Sequence, residues 1–215
     1  MATLTSILHP AHGFHPTVTT ALEIPPHLQR CTAHLVYTLP PIVFVDQYEL
    51  ANHHESYSFH LWGTSNLEYP VFAVQQSDST LLVGVKRDDE VKVPLHLRYG
   101  GPVDDAPAYE ETRLGWPVGF LACPASAHGS VPSNVPDEVA EFMKQNLTQP
   151  VSFVPISPTS SGAEHILRVP VGRSGDLAFV EFGTVFSIFL LFWYLVRVTK
   201  RVAARLNSRD QCKAD

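Results

Sequence analysis

Short runs of alternating apolar and polar residues recur between Ile42 and Cys123, each bounded by Pro, Gly, Asn or Asp. Successive side chains of a strand point to opposite faces, so this alternation marks half-buried β structure. The clearest run is Glu90 to Tyr99, EVKVPLHLRY. It places Val91, Val93, Leu95, Leu97 and Tyr99 on one face and Lys92, Pro94, His96 and Arg98 on the other. Pro94 has no N–H to give a ladder, which assigns this strand to an edge or a bulge. Ile42 to Val45, Tyr57 to Trp62, Val71 to Gln75, Thr80 to Val85 and Val118 to Cys123 complete the predicted set. Strands so short and so spaced predict a mainly β fold, an antiparallel β-sandwich-like domain over residues 26–170.

One segment of this body has helical spacing. After Pro136, Val139, Phe142 and Met143 fall at i, i+3 and i+4, with Asp137 and Glu138 in the first turn. Ser126 to Pro136 and Pro155 to Gly162 read as loops, and residues 1–25 as a poorly ordered lead-in. No internal repeat is present.

The pattern changes at Leu177. Residues 177–196, LAFVEFGTVFSIFLLFWYLV, contain one charge, Glu181. A helix of about 20 residues spans roughly 30 Å, the thickness of a bilayer's hydrocarbon core. Trp193 and Tyr194 suit the interface, and Arg197, Lys200, Arg201 and Arg205 follow. A single membrane-crossing helix is the expected reading, with 197–215 as a basic tail. Glu181 belongs near the interface or against a partner helix, because a carboxylate facing lipid is costly.

Charge divides at the same place. Of 15 Lys/Arg and 21 Asp/Glu, six and two lie from Arg197 onward, so a tail of +4 follows a body of −10. An acidic body without a basic stripe excludes nucleic acid as a partner. The positive-inside tendency puts the tail in the cytosol and the body on the lumenal side. Asn146-Leu147-Thr148, the one N-x-S/T sequon, is a glycosylation site under that orientation. Residues 1–24 carry no Lys, Arg or secretory apolar run, and an anchor inserted after synthesis would leave the body cytosolic. Both orientations stay open. So do both states of Cys31 and Cys123, bridged in an oxidising lumen or free and buried; Cys212 lies in the tail.

The chain contains no G-x-S-x-G, Walker A, G-x-G-x-x-G or H-E-x-x-H motif, and Asp88-Asp89 and Asp104-Asp105 are adjacent pairs rather than a D-x-D. The histidines at 9, 12 and 15 fall in the lead-in and those at 53 and 54 in a polar loop. No cofactor, metal or catalytic constellation is expected. His96 and Arg98 form the most prominent polar pair, with Asp46 or Glu68 as a carboxylate for Arg98.

Several segments resemble the PIG-X/Pbn family. They are Gly13 to Thr17, GFHPT; Leu39 to Leu50, LPPIVFVDQYEL; Asn66 to Val71, NLEYPV; Val93 to Tyr99, VPLHLRY; then Pro102, Tyr109 and Trp116 to Cys123, WPVGFLAC. The order matches over roughly residues 13–123, as does the terminal apolar helix, while the chain is short beside the larger fungal members. The resemblance implies a non-catalytic subunit stabilising the polytopic endoplasmic-reticulum mannosyltransferase I. That enzyme adds the first mannose to the glycosylphosphatidylinositol (GPI) precursor from dolichol-phosphate-mannose. His96, Arg98, Glu181 and Gly183 are the expected partner contacts. Two rival readings remain. One is a glycan-modifying hydrolase using Asp46, Glu49 or Glu68; the other is a tethered chaperone-like or adhesion module.

Overall fold

The computed structural model describes residues 1–64, 66, 69, 71–74, 77–86, 90–104, 108–126, 129–146, 149–160 and 164–211, with side chains to 205. The chain divides into two units, Met1–Gly101 with Pro107–Val171, and Pro102–Ala106 with Gly172–Asp215.

The first unit is mainly β and its large sheet is nearly closed. Its strands are β1 (Thr3–His9), β2 (Thr17–Glu23), β3 (Thr32–Leu39), β4 (Val43–Phe44), β5 (Tyr57–Trp62), β6 (Ser79–Val85), β7 (Glu90–Pro94), β8 (His96–Leu97), β9 (Tyr109–Gly115), β10 (Val118–Pro124), β11 (Val151–Pro158) and β12 (Glu164–Pro170). Eight of them form one sheet in the order β5-β6-β3-β10-β11-β1-β2-β7, antiparallel except for β1 beside β11. β12 pairs with β9 and β4 with β8.

Leu35, Tyr37, Leu39, Leu81, Val83 and Leu121 turn into a core shared with Val18, Val91 and Val93. The opposite face of β3, β6 and β10 is apolar too, because the helix α2 (Asp137–Asn146) covers it: Val139 and Met143 pack on Val36, Leu82 and Phe120. Burial on both faces explains why β6 and β10 read as continuous apolar runs rather than alternating ones. Cys31, the residue before β3, and Cys123 on β10, the strand beside β3, lie 4.2 Å apart at Cα and are joined by a disulfide. A second short helix, α1 (Gln47–Ala51), is capped by Asp46, whose side chain accepts from Tyr48 N–H at 2.8 Å.

The structure corrects several expectations. Residues 1–25 are not poorly ordered: β1 and β2 form a hairpin that buries Ala2, Leu4, Val18 and Leu22. Their threonines disguise them, and buried Thr20 bonds to Tyr37 Oη at 3.0 Å. Residues 71–73 form a 3-10 turn instead of a strand, and Gln75 lies outside the described residues. β11 runs into the expected loop at Pro155. It borders β1 only at Ser157 and Pro158, so Pro155 has no ladder to break on that side.

In the second unit, the helix α3 (Leu177–Gln211) continues well past Val196 through the basic segment. It is long and apolar enough to cross a membrane. Within it Thr184 and Ser187 donate to the carbonyls of Val180 and Gly183, and the Arg197 guanidinium lies 3.8 Å from the centre of the Trp193 ring.

Candidate functional site: a histidine–arginine cluster

The run from Glu90 to Tyr99 breaks after Pro94. β7 is the edge of the large sheet, as Pro94 requires, and β8 departs from that sheet to pair with β4. On the other side of β8, Leu95 and Leu97 N–H groups donate to the carbonyls of Pro16 and Phe14. β8 is thus held between β4 and residues 14–16. This placement brings His96 against Phe44, its register partner, with the rings stacked at 5.3 Å.

His96 is the centre of a polar chain. Its Nε2 lies 2.7 Å from Glu49 Oε2 and its Nδ1 lies 2.9 Å from Nδ1 of His15. A carboxylate accepts only, so His96 Nε2–H donates to it. One proton then serves the contact between the two Nδ1 atoms, carried by whichever ring donates. Among the described residues this chain ends at His15, with no Ser, Thr or Cys joined to it. It can hold or share a proton and fix the ring of His96.

Alternation predicts His96 and Arg98 on one face and Tyr99 on the other, with Val93, Leu95 and Leu97. The order inverts after Leu97: Arg98 is buried at 3% exposure and Tyr99 is 72% exposed. The cause is the change of partner, since the backbone N–H of Arg98 now bonds to the carbonyl of Ile42 at 2.8 Å. The guanidinium lies 4.4 Å from the Phe44 ring centre and donates to the Tyr69 carbonyl at 2.7 Å, while its Nε has no partner among the described residues. Burial lowers its pKa, yet a guanidinium stays protonated. Asp46 does not pair with it, because that carboxylate caps α1; Glu68 lies outside the described residues. Of the three carboxylates of the hydrolase reading, Asp46 is engaged at the cap and Glu49 at His96, and Glu68 lies outside the described residues.

Tyr69, whose carbonyl binds Arg98, and Tyr99, its chain neighbour, have exposed rings, the latter tilted against Phe14 at 4.7 Å; Tyr48, beside Glu49 in α1, and Phe72, three residues after Tyr69, are exposed as well. Four of the five segments that carry the family resemblance meet here. Phe14 and His15 come from the first, Phe44 and Glu49 from the second, Tyr69 from the third, and His96, Arg98 and Tyr99 from the fourth. His15, Glu49, Phe44 and the Tyr69 carbonyl were not singled out as partners of the pair. Their shared membership of those segments was the available signal.

The other predicted positions lie apart from this cluster. Asn146 ends α2, exposed, with its Nδ2 donating to the Phe142 carbonyl; Leu147 and Thr148 are outside the described residues. Glu181 and Gly183 are exposed on α3, in the second unit, and a Cβ on Gly183 would meet nothing within 4 Å. No group of three His, Cys, Asp or Glu positioned for a metal occurs among the described residues.

A nearly closed β domain carrying a histidine–arginine cluster, followed by a helix able to cross a membrane, defines by class a mainly β protein with one candidate membrane anchor. The chain belongs to the PIG-X / PBN1 family, which it matches over residues 11–199. It is 28% identical to protein pbn1 of Neurospora crassa over 86% of this chain and 40% of that protein. It is also 28% identical to protein pbn1 of Aspergillus oryzae, over 94% of this chain and 42% of the relative. For protein pbn1 of Schizosaccharomyces pombe the identity is 25%, covering 85% and 56% respectively. The chain thus spans about two-fifths of the length of the first two of these relatives. No solved structure matches it.

Proposed function

We propose that this chain is a non-catalytic subunit of the endoplasmic-reticulum mannosyltransferase that puts the first mannose on the GPI precursor. Mannose comes from dolichol-phosphate-mannose, and the catalyst is a polytopic partner that the chain stabilises. The observation that carries this reading is the meeting of four of the family-resembling segments at one surface whose polar side chains are mostly engaged within the chain. Glu49 is bound by His96, His96 by His15, and Arg98 by Tyr69 and Phe44. Such a surface offers shape and aromatic area, which suits protein recognition.

The body is lumenal in this reading, with residues 197–215 cytosolic. The Cys31–Cys123 bridge supports an oxidising compartment, and Asn146 is exposed as a glycan acceptor requires. A shift in mobility after endoglycosidase treatment supports this orientation; digestion of the body by protease added to sealed microsomes reverses it. Glu181 and Gly183 serve as contacts in the membrane, where a small residue permits close approach and a polar one bonds between helices.

Depleting the chain should lower the transferase protein severalfold on immunoblots. Replacing Glu181 and Gly183 together by Leu should lower it in part. Unchanged transferase on depletion contradicts the function, and unchanged transferase in the double variant removes α3 from the interface.

A further inference from the structure

The large sheet ends at β5 on one side and β7 on the other, and the two edges are built differently. β7 carries Lys92 and Glu90, 3.2 Å apart, ends in Pro94, and has α1 packed against it. Charges, proline and a covering element are the devices that keep an edge from recruiting another strand. β5, YSFHLW, has neither a charge nor a proline.

Its register with β6 fixes which backbone groups are spare. Lys86 N–H donates to the Ser56 carbonyl at 2.9 Å, and hydrogen-bonded pairs recur at every second residue of an antiparallel ladder. Ser58, His60 and Trp62 therefore turn their backbone groups to Gly84, Leu82 and Thr80. Phe59 and Leu61 turn theirs outward, and among the described residues no backbone group meets them. Beside this edge the rings of His60, Trp62 and Phe142 cluster with centroids 4.3, 4.4 and 5.4 Å apart. His60 is exposed and the other two are partly so.

We propose that β5 is a docking edge that takes one extended segment of the partner transferase as a further strand, with an apolar side chain of that segment seated on His60, Trp62 and Phe142. Outward N–H and C=O groups at strand spacing are matched by the backbone of another strand. The uncharged, aromatic flank selects an apolar, uncharged segment. This surface is separate from the His96–Arg98 cluster, and naming its occupant rests on the accessory-subunit reading.

The test uses the tagged full-length chain recovered from detergent-solubilised membranes, with immunoblotting for the transferase. His60→Glu puts a guarding charge on an exposed position, so the fold should persist while transferase recovery falls about tenfold. A photoreactive amino acid at Ser58, also exposed, should give an adduct with the transferase, and the same group at Lys92 should not. If His60→Glu disturbs folding, the Ser58 adduct decides. Equal recovery by a folded His60→Glu, no adduct at Ser58, or an adduct only with a second copy of this chain overturns the docking edge while wild-type recovery upholds the subunit reading. Absence of the transferase from the wild-type recovery overturns both.

Discussion

Arg98 gives up most of its hydration at 3% exposure, and a buried cation is tolerated only where other groups replace water. The Tyr69 carbonyl and the Phe44 ring do so. Arg98→Ala should destabilise the chain by about 2–4 kcal/mol, from a charged hydrogen bond and a cation–π contact together. Arg98→Lys should recover little, because an ammonium does not lie flat on a ring. Urea unfolding of the full chain in detergent measures both, and a loss below about 1 kcal/mol for the alanine would mean the Tyr69 tether carries no weight. His34 titrates with consequence as well. Burial pushes its pKa down from 6.5 to about 4, and its ring stacks on Phe120. The unfolded chain binds that proton first, so His34's contribution is complete above pH 6.5 and is lost as pH falls toward 4, by roughly 2 kcal/mol at pH 5. Burial lowers the His165 pKa too, in the same sense. His34→Phe keeps a stacked ring and should flatten the acid limb of a stability–pH curve; an unchanged limb assigns it to other groups. His96 and Arg98 were legible as a notable pair, but their partners were not. His15, Glu49 and Tyr69 sit in three other segments, and periodicity carries no information about which segments meet.

At the scale of elements, legibility followed the size of the alternating residues. β5, β6 and β10 were visible because Leu, Val and Phe recur in them, whereas β1, β2, β9 and β12 hide their pattern among Thr, Glu and Arg. β3 lies at the centre of the sheet and was also missed. Its buried run, Leu35 to Tyr37, does not alternate, since α2 covers its second face. The helix α2 itself was readable from Pro136 and the spacing of Val139, Phe142 and Met143. The disulfide between β3 and β10 closes a span of 92 residues. In the chain-entropy account a loop this long restrains the unfolded state strongly, so Cys123→Ser should cost about 2–4 kcal/mol. Comparing urea midpoints of wild type and variant, each with and without reductant, checks this. Reductant should shift only the wild type, and a wild-type midpoint insensitive to complete reduction contradicts the assignment.

For the molecule as a whole, the mainly β body and the single long apolar helix were both readable from hydropathy alone, and the helix proves longer than the apolar run because the basic segment continues it. The joining of the sheet's two halves was not readable. It depends on β1 crossing to lie parallel beside β11, a contact between residues about 150 positions apart for which local pattern holds no signal. The large sheet has two edges, β5 and β7, and Glu49, His96 and His15 are engaged with one another. Those properties fit a protein that acts by holding another. The most direct measurement is the profile of GPI precursors in cells depleted of this chain. Accumulation of the glucosamine-bearing precursor that lacks mannose, reversed on restoring the chain, is the predicted result. A normal profile under complete depletion would contradict the subunit reading.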